Sequence, residues 1–210
     1  MIDYMFFKRL FDILFSMVTI IVLFPLLLVL SILIMVLMGY PIFYSQQRVG
    51  KDCHVFSILK FRTMLSKTDA LITDAQRVTK FGIFLRKFSL DEFPQLLNIL
   101  KGDMSFIGPR PLLPKYIPHF NQREKIRHQV RPGMSGLAQV NGRSFLSWEE
   151  QFEIDAEYVE KVSFRMDLSI FFKTLPKVLG SKDMMVTGRI DTLPFDEFSK
   201  LRSHAENGKN

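Results

Sequence analysis

Apolar residues dominate the start of the chain: from Ile13 to Gln47 no residue is charged, a run of about 35 positions where about 20 suffice to reach across a bilayer. The run predicts a membrane-associated helix over residues 1–40, too long for a cleaved signal peptide and not ended by a small-residue cleavage site. Pro25 sits near its middle, where it removes a backbone donor and crowds the carbonyl four residues back, so a bend is expected there. Two topologies are open, a single span or a re-entrant helix that leaves by the face it entered. Lys8 and Arg9 before the run and Arg48 and Lys51 after it draw both ends toward the cytoplasm and favour re-entry.

Beyond Tyr40 the pattern changes to short alternating runs. Ile42 to Val49 and Val55 to Met64, separated by a basic turn at Gly50 and Lys51, predict a β-hairpin on which Phe56, Ile58, Lys60 and Arg62 share one face. Lys60 and Arg62 could hold a phosphate or a lipid headgroup, or simply be a solvated strand face. Ser66 to Lys80 is polar and reads as helical at its start, and Phe81 to Phe88 turns apolar and basic with Arg86 and Lys87.

Next comes Ser89-Leu90-Asp91-Glu92-Phe93-Pro94-Gln95-Leu96-Leu97-Asn98. Its Ser-x-x-Glu spacing predicts a capping box at a helix start, and a carboxylate at Asp91 would gain about 0.3–1 kcal/mol from the helix dipole. Capping and catalysis are both open for this acidic pair. Gly108-Pro109-Arg110-Pro111 makes a rigid turn that aims the Arg110 guanidinium. His119 to Arg131 reads as a charged, helical surface segment. Gly133, Gly136 and Gly142 lie in a loop that permits close approach to a ligand, with Asn141-Gly142 presenting Arg143. Ser147 and Glu150 form a second capping box, opening a helix to about Val162 packed through Phe152, Tyr158, Val159 and Val162. A further helix opens near Asp167, its apolar residues accompanied by Lys173 and Lys177; it is either a core helix or, the favoured reading, one lying in the headgroup layer with its lysines snorkelling. From Thr187 the chain is polar, and residues 206–210 should fray.

No linker or repeat divides the chain, so one globule is expected: an α+β fold with the membrane helix, a small hairpin and a mainly helical cytoplasmic part carrying interfacial amphipathic helices. The boundaries are residues 1–40 for the membrane helix, 41–186 for the catalytic part and 187–210 for a C-terminal tail. Lys and Arg number 28 against 21 Asp and Glu, a formal charge of +7 that favours anionic partners. The lone Cys53 excludes an internal disulfide framework, and His54, His119, His128 and His204 have no metal-site spacing. The basic residues are interrupted by apolar positions and match no reader motif, which argues against nucleic acid. A membrane-anchored module that binds anionic lipid without catalysis is the alternative to an enzyme.

Lys8-Arg9-Leu10-Phe11-Asp12, Lys60-Phe61-Arg62-Thr63-Met64, Ser89-Leu90-Asp91-Glu92, Lys101-Gly102-Asp103-Met104-Ser105, Gly108-Pro109-Arg110-Pro111, Arg131-Pro132-Gly133 and Gln139-Val140-Asn141-Gly142-Arg143 follow one another in order. In this the chain resembles the bacterial sugar transferases, and within them the small monotopic phosphoglycosyl transferases of the kind that begins N-linked glycan assembly in campylobacters. The resemblance implies transfer of a sugar-1-phosphate from a UDP-sugar to undecaprenyl phosphate at the cytoplasmic face of a bacterial inner membrane, with Mg2+ required, in glycoprotein or polysaccharide assembly. It implies that Asp91 is the nucleophile and forms a phosphosugar-aspartyl intermediate. Glu92 completes the dyad, and both carboxylates are candidates for holding magnesium. Arg86 and Arg143 match arginines near the phosphate site, Asp167 matches an acidic residue close to the dyad, and Arg110, in the Pro-Arg-Pro turn, takes a mainly architectural or ligand-positioning role. Small members commonly have Ser-Pro at the membrane-helix break; here Phe24 precedes Pro25, which leaves the bend to the proline and to packing.

Overall fold

The computed structural model describes residues 2–65, 74–142, 146–179 and 194–207. It is an α+β fold, mainly helical, with helices α1 (Ile2–Met38), α2 (Asp74–Arg77), α3 (Lys80–Lys87), α4 (Gln95–Lys101), α5 (Gln122–Lys125), α6 (Leu137–Asn141), α7 (Trp148–Lys161), α8 (Phe164–Leu179) and α9 (Phe195–Asn207). Strands β1 (Phe43–Val49) and β2 (Val55–Phe61) form the expected antiparallel hairpin, and β3 (Ser105–Ile107) pairs in parallel with β4 (Gly133–Ser135).

The apolar run folds as one helix that continues through Pro25 without interruption. Its buried positions Lys8, Asp12, Ser16, Leu30, Ile34 and Met38 fall on one helical face, while Phe6, Phe7, Val18, Ile21, Val22, Phe24 and Val36 remain exposed. Both ends of α1 are tied to the globule by polar contacts. Near the N-terminus Lys8 Nζ lies 2.5 Å from Asp167, Arg9 donates to the Ile99 and Leu100 carbonyls at 2.6 and 2.9 Å, and Asp12 accepts from Ser105 and from the Phe106 N–H. At the other end the buried Arg62 donates to the carbonyls of Met38, Gly39 and Tyr40. Cations at the open carbonyls of a helix C-terminus satisfy groups that have no partner within the helix.

Several expectations are corrected. His119 to Arg131 is no surface segment: Glu124, Arg127 and His128 are buried, and Arg127 pairs with the buried Asp155 at 2.9 Å. The glycines near β4 admit protein backbone, not a ligand. A Cβ on Gly133 would stand 2.1 Å from the Gly108 nitrogen, and one on Gly136 2.3 Å from the Gly108 oxygen. The expected tail contains α9, whose Phe195 is fully buried among Tyr116, Phe120, Trp148 and Phe152. The predicted helix at the start of residues 66–80, Arg143 and the boundary at residue 186 lie outside the described residues.

Helix α7 meets its expectation: Ser147 and Glu150 make the reciprocal capping box, and Phe152, Tyr158, Val159 and Val162 are buried. Helix α8 begins three residues before Asp167. It buries Asp167 and Ile170 and exposes Phe164, Leu168, Phe172 and Leu175 beside Arg165 and Lys173. An apolar stripe flanked by cations is the pattern of a helix lying in a membrane interface.

Candidate active site

The acidic pair does not begin a helix. Leu90 to Glu92 form a single 3-10 turn, and α4 starts three residues later. Pro94, which has no N–H, stands between the turn and the helix and caps α4 without a side-chain bond. Ser89 has φ +53 and ψ +22, and its side chain makes no cap, so the Ser-x-x-Glu capping box is absent. A left-handed serine turns the chain sharply at the end of α3, where the Ser89 N–H bonds to the Arg86 carbonyl at 3.1 Å. This corner, not a helix dipole, delivers Asp91 and Glu92 to their places.

Three elements fix the turn. Asn98 on α4 donates to the Ser57 carbonyl at 2.8 Å and accepts from the Leu59 N–H at 3.0 Å, locking α4 to β2. On the next residue of β2, Lys60 Nζ meets Glu92 Oε1 at 2.5 Å, with both side chains under a third exposed. On the other side, Gly82 packs α3 onto the strand exit; a Cβ there would lie 2.0 Å from the Thr63 carbonyl oxygen. One helical turn on, Arg86 Nε donates to Thr63 Oγ1 at 2.9 Å.

The two carboxyls titrate in opposite directions. Burial, then the negative charge of Glu92, pushes Asp91 from 3.8 up to about 6, against the opposing pull of Lys60 and Arg86. Burial also disfavours the charge on Glu92, but Lys60, Arg110 and a hydrogen bond from Gln95 outweigh it and hold Glu92 below the usual carboxylate range. One ionised acid with dedicated cations thus stands beside a second carboxylate that is ionised at neutral pH yet poorly compensated. That division suits a nucleophile next to a fixed orienting group.

Of the residues predicted from sequence, the structure brings Lys60, Arg86, Asp91, Glu92 and Arg110 into one electrostatic cluster. It places Arg62 at the end of α1. Asp167 lies elsewhere in the described contacts: it is buried and bonded to Lys8, to Tyr4 Oη at 2.5 Å and to Tyr158 Oη at 2.7 Å, a tie between α1, α7 and α8. Gln95 and Thr63 were missed. Gln95 stands three residues after Glu92, close in space on one turn, and is almost wholly buried, the pattern of a side chain with a polar duty.

Magnesium fits only in a particular way. Among the described residues no group of three or more acidic, histidine or cysteine side chains could hold a metal ion. Asp91 and Glu92 offer two carboxylates, within the one or two that form the protein share of a Mg2+ shell completed by substrate phosphates and water.

A family model described as bacterial sugar transferase matches residues 3–181. The uncharacterized sugar transferase EpsL of Bacillus subtilis (strain 168) is 46% identical over 155 residues, covering 72% of this chain and 77% of the relative. The exopolysaccharide production protein ExoY of Sinorhizobium fredii is 37% identical over 195 residues, covering 83% and 86% respectively. A UDP-glucose:undecaprenyl-phosphate glucose-1-phosphate transferase of Klebsiella pneumoniae is 38% identical over 186 residues, which is 82% of this chain but 40% of that longer protein.

Proposed function

The chain belongs to the bacterial sugar transferase family, and on that premise we propose that it transfers a sugar-1-phosphate from a UDP-sugar to undecaprenyl phosphate, releasing UMP. The observation that carries this reading is the buried Asp91 carboxylate, raised to about 6 beside a Glu92 held by Lys60. A diphosphate repels an approaching carboxylate, and the cations of Lys60, Arg86 and Arg110 counter that repulsion where the reacting atoms meet.

In the first step an Asp91 oxygen bonds to the sugar-bearing phosphorus. The bond from that phosphorus to the bridging oxygen breaks, and its electron pair leaves on UMP. In the second step a phosphate oxygen of undecaprenyl phosphate attacks the same phosphorus, and the Asp91 carboxylate is restored as undecaprenyl-diphosphate-sugar departs. Glu92 and Asp91 are the residues that would hold magnesium, which supplies charge neutralisation on the donor phosphates. Gln95 and Lys60 keep the Glu92 carboxylate ionised and oriented.

The fold also favours a re-entrant membrane helix in a cytoplasmic-membrane enzyme. Lys8 and Met38 are separated by about 45 Å along a helix rising 1.5 Å per residue, more than the hydrocarbon core of about 30 Å. Yet both regions bond to the same polar globule, which could not follow a straight span through lipid. Re-entry rests on this double attachment, not on a break at Pro25. The exposed apolar stripe of α8 with its flanking cations suits a membrane interface with anionic headgroups. The names of the relatives favour polysaccharide assembly over glycoprotein assembly as the destination of the product.

The test is release of UMP from a panel of UDP-sugars with undecaprenyl phosphate. Magnesium-dependent release by the wild type, abolished in Asp91→Asn, is the expected result. A protein that binds anionic vesicles but releases no UMP with any sugar would leave only the lipid-binding alternative.

A further inference from the structure

The donor carries two phosphates, and Asp91 attacks only one of them. The antiparallel register sets Tyr44 opposite Lys60, Gln46 opposite Ile58 and Arg48 opposite Phe56. Tyr44, Gln46 and Arg48 therefore share the hairpin face from which Lys60 reaches Glu92. Arg48 is half-buried, and its Nη2 donates to Gln46 Oε1 at 2.6 Å. The end of β1 is pinned beside the Pro-Arg-Pro turn, because the Val49 N–H bonds to the Leu112 carbonyl at 2.9 Å. Val49, Gly50 and Arg110 also line one small cleft with Pro109 and Pro111. Burial first, then the positive charge of Arg110, lowers the pKa of Arg48, and the charge of Arg110 also reaches Glu92. Among the described residues neither Arg48 nor Arg110 forms a salt bridge with an acidic side chain. Two guanidiniums that feel each other's charge, neither of them in a salt bridge among the described residues, make a place for an anion.

We propose that Arg48 and Arg110 hold the nucleotide-side phosphate of the donor, the group that departs as UMP. This rests on the transfer reading above and extends it to the leaving group. When the bond to the bridging oxygen breaks, the nucleotide phosphate gains negative charge, and two planar cations beside it stabilise that charge more than they stabilise the intact diphosphate. Gln46 fixes the Arg48 fork, and the prolines around Arg110 fix the backbone that presents the other.

The test compares binding of UMP and of uridine, which lacks the phosphate, to the full-length protein in nanodiscs with magnesium, by calorimetry. Wild-type protein should bind UMP more tightly than uridine. Arg48→Gln should weaken UMP about tenfold or more, as expected for loss of a charged hydrogen-bond donor, and leave uridine unchanged. Arg48→Lys, which keeps the charge without the fork, should fall between them. UMP binding by Arg48→Gln equal to wild type overturns the inference. So does a proportional loss of UMP and uridine in both variants, which would mark Arg48 as a brace for the hairpin. Wild-type protein that releases no UMP in the transfer assay removes the transfer reading itself and the inference with it.

Discussion

Replacing Asp91 with Asn should make the protein more stable, because the fold holds that carboxylate against its own preference. The residue is 8% exposed, and burial with the adjacent Glu92 raises its pKa from 3.8 to about 6. A raised carboxylate pKa means that the folded state binds the proton more tightly than the unfolded chain does. Its contribution to stability is present in full below pH 3.8 and is lost as pH rises through about 6. At pH 8 the ionised group therefore costs the folded state about 3 kcal/mol, at 1.36 kcal/mol per pKa unit. The neutral amide avoids that cost. With about 2–4 °C per kcal/mol for a chain of this size, the melting temperature of Asp91→Asn in detergent should exceed that of wild type by roughly 6–12 °C at pH 8. The two should converge near pH 3. Magnesium should raise the wild-type melting temperature at pH 8 and leave that of the variant nearly unchanged, since it relieves the same uncompensated charge. A variant no more stable than wild type at pH 8, or a gain of equal size at pH 3, would refute the claim that the carboxylate is strained by its surroundings.

Three further outcomes follow from the same geometry. Lys60→Met removes the cation that holds Glu92 down and also opposes the rise of Asp91; the acid limb of the pH–rate profile should move to higher pH and kcat/KM at pH 7 should fall about 100-fold. Arg127→Met removes the buried guanidinium that pairs with Asp155 and should cost about 3–5 kcal/mol in denaturant unfolding, most of it recovered by adding Asp155→Leu. Phe195→Ala empties the centre of the aromatic cluster beneath α9 and should cost about 3–5 kcal/mol by thermal melting, with UMP release at low temperature preserved, because that cluster does not include the dyad.

What could be read from sequence was whatever local pattern alone determines. The hairpin was legible in its alternation, α7 in its Ser147–Glu150 cap, and α1 in its unbroken hydropathy. The acidic pair was legible as a candidate site, but its conformation was not. Ser89-x-x-Glu92 has the letters of a capping box, and only the Pro94 between the turn and α4, with a left-handed Ser89, decides against one. Polar residues that are paired across long sequence distances were read as surface. Arg127 waits for Asp155 and Glu124 for Arg202, and neither partner is near in sequence; Asp167, assigned to the site by resemblance, waits in the same way for Tyr4 and Lys8. The glycines at 133 and 136 showed that something approaches closely; that it is the backbone at Gly108, and not a phosphate, depends on the β3–β4 pairing. Gln95 and Thr63 escaped notice because neither is charged, although each bonds to a side chain that is.

The proposed covalent step can be tested without its second half. Full-length protein is incubated with magnesium and a UDP-sugar radiolabelled in the sugar, with no undecaprenyl phosphate present, and then analysed for label on the polypeptide. Label should appear on the wild type, map to Asp91, and pass to lipid when undecaprenyl phosphate is added, while folded Asp91→Asn stays unlabelled. Equal labelling of Asp91→Asn, or UMP release that begins only after the lipid is added and leaves the protein unlabelled throughout, would contradict a nucleophilic Asp91.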